Sequence, residues 1–220
     1  MPNPSKGEIE IEVINRYTPY AQGLDGYPVP PLPEDLVLPT DSPYVAIVGR
    51  NGSGKSTLLY KLFIQLMFGI NETIGKYLDV KYTGKKPACR LIRGDDQPEP
   101  YLRSLEPKTD PERARLSRLS KGQYKWERLS RALSTDIPAD TILFLDQPED
   151  NLSIGNIRKL VGLLEGFLKQ RGNQLFVATH CPELLGIDGL VINMLDWSRE
   201  NPGGIASVCR TAEFDLSKYL

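Results

Sequence analysis

The stretch YVAIVGRNGSGKST, residues 44 to 57, joins an apolar run to a glycine-rich loop that closes on Gly-Lys-Ser-Thr. A short, continuously apolar run such as Tyr44 to Gly49 suits a strand covered on both faces. The loop satisfies the pattern G-x-x-x-x-G-K-[ST] from Gly49 to Ser56, in the strand-to-helix setting that the pattern needs. Gly52 and Gly54 let the backbone curl, so that N–H groups from Asn51 through Thr57, Ser53 among them, face one anion at the positive end of the next helix. Lys55 is then placed to reach the β- and γ-phosphates of a nucleotide, and Ser56 to bind Mg2+.

Outward from this loop, the sequence alternates strands and helices. "EIEIEVINRY" interleaves Ile/Val with Glu, the period of a half-buried strand beginning near Glu8. The proline-rich run 28 to 39 excludes a helix or a central strand and reads as a surface excursion. A helix is expected from Ser56 to about Phe68, ending at Gly69. Residues 80 to 93 read as two strands around a glycine-containing turn, and 112 to 134 as helical with an interruption at "LSKG". "TILFLD" is a buried strand, followed by a helix from Asn156 to Gln170 whose Ile157, Leu160, Val161, Leu164 and Leu168 share one face. "QLFVATH" and "GLVINML" are later strands. This order implies a mainly parallel sheet with helices on both faces.

A chain of 220 residues, 40% hydrophobic, has enough apolar material for one α/β core, so residues 1–220 are expected to form a single domain. The net charge of -1 argues against a wholesale polyanion binder, although residues 76 to 131 hold fifteen Lys/Arg against eight Asp/Glu. Arg103, Arg113, Arg115, Arg118, Lys121, Lys125, Arg128 and Arg131 belong to this stretch. They form either a solvated helix face or a groove, where two copies meet, for nucleic-acid backbone or an acidic partner. Three widely spaced cysteines fit neither a disulfide framework nor a zinc cluster, which favours a reducing compartment. With no eighteen-residue apolar run and no apolar core in "MPNPSKGEIE", the expected location is cytoplasmic, without direct membrane insertion.

Three further elements carry chemistry. "LSKGQ", Leu119 to Gln123, places a serine and a glycine at a helix start, which by itself is an ordinary Ser N-cap. "ILFLDQPEDNL", residues 142 to 152, ends a buried strand in acids: Asp146 is suited to Mg2+, and Gln147 can orient a water but cannot take its proton. Glu149 is the candidate substitute base. His180, the sole histidine, ends the strand "LFVAT" after Thr179, at the edge where ligands bind in such sheets.

In this order and at these intervals, the elements resemble those of the ATP-binding-cassette (ABC) superfamily. "LSKGQ" is similar to its LSGGQ signature, with Lys121 in place of the first glycine. The resemblance implies a P-loop NTPase of ABC type, with an N-terminal antiparallel β region and a short helical subdomain at approximately 95–135. It makes Asp146 the Walker B carboxylate and His180 the γ-phosphate contact. Gln97, forty-two residues past Lys55, becomes the Q-loop residue that helps hold Mg2+. Two copies, identical or different, would sandwich two ATP molecules, with Ser120, Lys121, Gly122 and Gln123 of one facing the phosphates held by the other. "IEIEVINRYTPY", "DQPEDNL" and "THCPELL" resemble SMC-, RecF- and OLD-like or phage-defence ATPases, which gate an effector protein. The sixty-four residues between Lys55 and Ser120 leave no room for a long coiled-coil arm. A transporter's nucleotide-binding subunit and a non-hydrolysing scaffold stay open as alternatives. Against the transporter, Ser153 stands where the D-loop aspartate would fall, and only Tyr17 and Tyr20 are candidates for stacking on adenine. Gln147 itself is either natural to this element or the product of a Glu→Gln exchange that traps the ATP-bound state.

Overall fold

The structure, a computed structural model, describes residues 9–12, 37–38, 42–68, 79–82, 87–93, 115, 118–134, 137–170, 172–195, 204–215 and 217. A small antiparallel sheet is formed by β1 (Ile9–Glu12), β2 (Val37–Leu38) and β4 (Asp79–Tyr82), in the order β2-β1-β4. The main sheet holds β3 (Tyr44–Val48), β5 (Ala88–Arg93), β6 (Thr141–Asp146), β7 (Gln174–Ala178), β8 (Leu190–Leu195) and β9 (Gly204–Arg210), in the order β5-β6-β7-β3-β8-β9. All its neighbours run parallel except β8 and β9. The helices are α1 (Lys55–Phe68), α2 (Lys121–Ser134), α3 (Ile154–Leu168) and the short α4 (Pro182–Leu185).

Alternation along the central strands builds two cores from one sheet. Val45 and Ile47 of β3, with Ile142 and Phe144 of β6, face Leu58, Leu59, Leu62 and Leu66 of α1. Tyr44, Ala46 and Val48, with Leu143 and Leu145, face Leu160, Leu164 and Phe167 of α3 and Leu129 and Ala132 of α2. Every residue of β3 is therefore buried, as its unbroken apolar run predicts. Each such Leu, Ile or Phe contributes about 1.5–3 kcal/mol by leaving water. Phe144 stacks on Phe176 at 5.2 Å between centroids and meets Phe63 edge-on at 5.7 Å.

Two expectations change. The strands expected around a turn in residues 80 to 93 form, but not as a hairpin: β4 pairs with β1, whereas β5 runs parallel to β6. The helix expected from Asn156 begins at Ile154, because the Ser153 side chain accepts the Asn156 N–H and caps it. β9 has no counterpart in the sequence reading. Gly69, where α1 was expected to stop, and most of the proline-rich run lie outside the described residues.

Candidate functional site

The carboxyl ends of β3, β6 and β7 converge on one edge of the sheet. Gly49, Gly52 and Gly54 have φ of +154°, +84° and +93°, which L side chains rarely adopt. They turn the chain from β3 into α1, and Leu58 N–H closes the first helical bond on the Gly54 carbonyl at 2.8 Å. A Cβ on Gly49 would sit 2.8 Å from Met194 Cβ, while one on Gly52 would meet nothing within 4 Å. The loop is thus wedged at its base and open at its tip. The hydroxyl of Ser53 is buried without a hydrogen-bond partner among the described residues. Lys55, only 4% exposed, donates to the carbonyls of Gly49 (2.7 Å) and Arg50 (2.9 Å).

Ninety residues later in the chain, Asp146 comes to the same point. Ser56 Oγ donates to Asp146 Oδ1 at 2.8 Å, which pairs two of the three expected Mg2+ ligands directly. Beyond Asp146 the backbone makes a tight turn: Gln147 has φ +46° and Asn151 φ +62°, both left-handed without being glycine. Gln147 N–H extends the β6–β7 ladder by donating to Ala178 O at 2.8 Å.

Glu149 faces the end of β7. Its Oε1 accepts the Thr179 hydroxyl at 2.6 Å and the His180 N–H at 2.8 Å, while Oε2 is buried with no partner among the described residues. The imidazole of His180 is exposed on the same edge. Partial burial, and then the Lys55 ammonium, hold its pKa below the ordinary 6.5, so the ring is neutral at pH 7 and keeps one N–H to donate. Next to it, burial and the Glu183 carboxylate push the Cys181 thiol up to about 11, which makes it inert as a nucleophile.

The signature pentapeptide forms a reciprocal cap at the start of α2. Ser120 N–H donates to Gln123 Oε1 (2.9 Å), and Gln123 N–H donates to Ser120 Oγ (3.3 Å). Gly122 lies against the backbone of Asn151, where an added Cβ would collide with the Asn151 carbonyl oxygen. One turn on, Lys125 Nζ donates to the carbonyls of Gln147 (3.2 Å) and Asp150 (2.6 Å). The start of α2 is therefore fastened to the turn that follows Asp146.

Lys125 enters the sequence reading only as one cation of a basic stretch. Its spacing carries the missed signal: Gly122, Lys125, Leu129 and Ala132 share one helical face, and the last two are buried. Three more described cations of this stretch, Arg115, Arg128 and Arg131, also have work inside the chain. Arg115 and Arg131 both pair with Glu127, whose carboxyl Arg115 holds below its usual range, and Arg128 lies 5.2 Å from the Tyr124 ring centroid. Arg118 and Lys121 are exposed. Gln97, Tyr17, Tyr20, Arg103, Arg113 and most of the region 95–135 that precedes Arg118 lie outside the described residues.

A family profile described as "AAA domain, putative AbiEii toxin, Type IV TA system" matches residues 70–186, more than half of the chain. The chain belongs to this family of P-loop ATPases. The matched span contains the signature, Asp146 and the Thr179–His180 pair, and it begins after the Gly49–Thr57 loop. Among solved structures, this ATPase is similar to a dimeric ATP-binding cassette in a post-hydrolysis state bound to ADP and Pi. They are 17% identical with a TM-score of 0.58, over 94% of this chain and all of the other. A dimeric bacterial ABC transporter cassette matches with 16% identity, the same TM-score and the same coverage. No curated protein matches in sequence. The ATPase thus has the ABC-type fold, a six-stranded, mostly parallel sheet with one antiparallel pair. Among its described residues, no helix is long and apolar enough to cross a membrane.

Proposed function

We propose that this P-loop ATPase binds ATP with Mg2+ and hydrolyses it within a head-to-tail pair of copies, opening and closing the pair to gate a separate effector. The observation that carries the proposal is the meeting of Ser56 and Asp146 at 2.8 Å, beside a glycine cradle that ends in Lys55. The cradle suits a triphosphate: its tip is open and the Ser53 hydroxyl has no partner among the described residues, and α1 points its positive end at the same place. Mg2+, when held by Ser56 and Asp146, supplies positive charge to the phosphate oxygens.

Lys55 adds an ammonium that would exchange two loop carbonyls for phosphate oxygens, a stronger pairing of opposite charges. His180, neutral, offers one N–H to the terminal phosphate. Gln147 orients a water at the position where a carboxylate base is commonly found. By the resemblance to the ABC superfamily, Thr57, and Gln97 outside the described residues, would serve the phosphates and the metal. Across the pair, Ser120 and Gly122 of one copy would address the phosphates held by the other. The Ser120 oxygen accepts the cap, which leaves its own hydrogen to donate. Ile154, half exposed directly after the turn, is the apolar residue that such a contact would cover. Similarity to dimeric cassettes supports the pairing, and family membership supports a role in phage defence inside the cell.

The test compares three chains. Lys55→Ala should lose nucleotide binding. Ser120→Arg should bind nucleotide as the parent does yet fail to dimerise when Mg-ATP is added. Equal dimer populations in the parent and in Ser120→Arg, with and without ATP, would sink the proposed arrangement. Loss of phage protection in cells that express Lys55→Ala in place of the parent would tie the nucleotide to defence.

A second reading is favoured by Gln147 alone: the pair is an ATP-gated scaffold that does not turn over. Steady-state phosphate release separates the two. Release in the parent, raised by Gln147→Glu, supports the ATPase; none in the parent supports the scaffold.

A further inference from the structure

Glu149 is the acid nearest in sequence to Gln147 that could replace a missing base, yet its surroundings fit a different task. A carboxylate that takes a proton from an attacking water must present an oxygen to that water. Here Oε1 already accepts two hydrogen bonds, from Thr179 Oγ1 and from the backbone N–H of His180. The other oxygen, Oε2, is shut away from solvent. The bonds also form a chain: the Thr179 hydroxyl, itself wholly buried, accepts the Cys181 N–H at 2.9 Å while donating to Glu149. Three consecutive residues after β7, 179 to 181, are therefore held through one carboxylate.

From this geometry we infer that Glu149 is a positioning residue that fixes the backbone of His180, and not the proton acceptor for the attacking water. The inference rests on the ATPase reading for its catalytic consequence, but the clamp itself exists without nucleotide. A charged acceptor that receives an O–H and an N–H in a dry site makes strong, short bonds. Fixing the N–H of His180 fixes where its Cα stands, and so how far the imidazole reaches beyond the end of β7. The same carboxylate belongs to the turn that follows Asp146, so the metal side of the site and the His180 side are set relative to each other. On this view the hydrolytic step lacks a carboxylate base at both 147 and 149, and turnover is slow because Gln147 only orients the water.

Clamp and base predict opposite behaviour for one conservative change. The amide oxygen of a glutamine accepts both bonds but cannot take a proton at neutral pH. In full-length chains with Mg-ATP, Glu149→Gln should keep kcat within about threefold of the parent, a change of about 0.65 kcal/mol on the scale where tenfold is 1.36. Glu149→Ala should fall as far as His180→Ala, and the double variant Glu149→Ala/His180→Ala no further, because both remove the same contact. The second measurement needs no turnover. Backbone hydrogen exchange at His180, read in the nucleotide-free chain, should be slow in the parent and in Glu149→Gln and fast in Glu149→Ala.

If Glu149→Gln is as inactive as Glu149→Ala while its His180 amide stays protected, the carboxylate is the base and the inference is overturned. Rapid exchange at His180 in the parent would overturn it as well. An inactive parent with a protected His180 amide would remove the ATPase reading and leave the clamp standing.

Discussion

The loop before α1 and the turn after β6 meet at one site, but they are built in opposite ways. In the loop, left-handed backbone is given to glycines, the tip touches nothing, and Ser53 Oγ has no partner among the described residues. In the turn, left-handed backbone is imposed on Gln147 and Asn151, and Gly122 and Lys125 of α2 and Ala178 and Thr179 at the end of β7 press on it. A cradle must keep donors that an arriving anion can claim, the Ser53 hydroxyl outright and the Lys55 ammonium by trading its two loop carbonyls, whereas a strut commits its donors in the folded chain. Non-glycine residues in left-handed backbone cost about 1–3 kcal/mol each and persist only where the surroundings enforce them. The turn's bonding partners provide that enforcement.

This contrast predicts that changes in the loop affect binding above all and changes in the turn affect chiefly stability. The largest effect is expected from Lys55→Met: affinity for an ATP analogue should drop at least about 100-fold, since two charge-assisted bonds of about 1.5–3 kcal/mol each disappear. Lys55 also holds the Gly49 and Arg50 carbonyls in the folded chain, so denaturant titration should show a loss of about 1–2 kcal/mol as well; a loss of stability without the loss of affinity would mean that Lys55 serves only the frame. Next comes Gly122→Ala, which drives a methyl into the Asn151 carbonyl and should cost about 1–3 kcal/mol in denaturant titration, with analogue affinity of the single copy unchanged. Lys125→Met removes the ammonium from two carbonyls and should cost about 1–2 kcal/mol in the same titration. Full stability in that variant would show that water replaces the strut without loss.

Smaller effects sharpen the comparison. Gln147→Gly relieves the left-handed strain against glycine's greater unfolded entropy, for a net gain of about 0.5–1 kcal/mol, while phosphate release falls. Smallest is the pH response of His180. Its folded pKa lies below the ordinary 6.5, so the folded chain binds this proton less readily than the unfolded chain. Its contribution to stability is complete above that value and is lost as pH falls beneath it. Thermal unfolding followed from neutrality down to about pH 5 should decline more steeply in the parent than in His180→Gln.

What the letters reveal follows the same division. The loop is legible because its chemistry is local: a few residues at fixed spacing both form the cradle and announce it. Asp146 and His180 are legible because apolar runs place them at strand ends, and alternation along β3 and β6 announces two covered faces. The turn is not legible in this way. Lys125 meets Gln147 across 22 residues and Glu149 meets Thr179 across 30, separations that no periodicity encodes. Glu149 reads as a spare base in the sequence because only the folded chain shows which way each carboxylate oxygen faces. The residues 80 to 93 mislead for a related reason. Local pattern identifies both strands, but the partner of each, β1 for one and β6 for the other, lies far away along the chain.

One irregularity reaches further than its position suggests. The pairing of β8 with β9 slips by one residue between Asn193 and Met194, and Met194 is the residue that stands behind Gly49. The outermost hairpin of the sheet therefore serves as the backstop of the phosphate loop. Any ligand or partner that straightens that slip, by taking β9 away or adding a strand beside it, would change the height at which the loop begins, and so tune nucleotide affinity from the far rim of the molecule without touching a single phosphate contact.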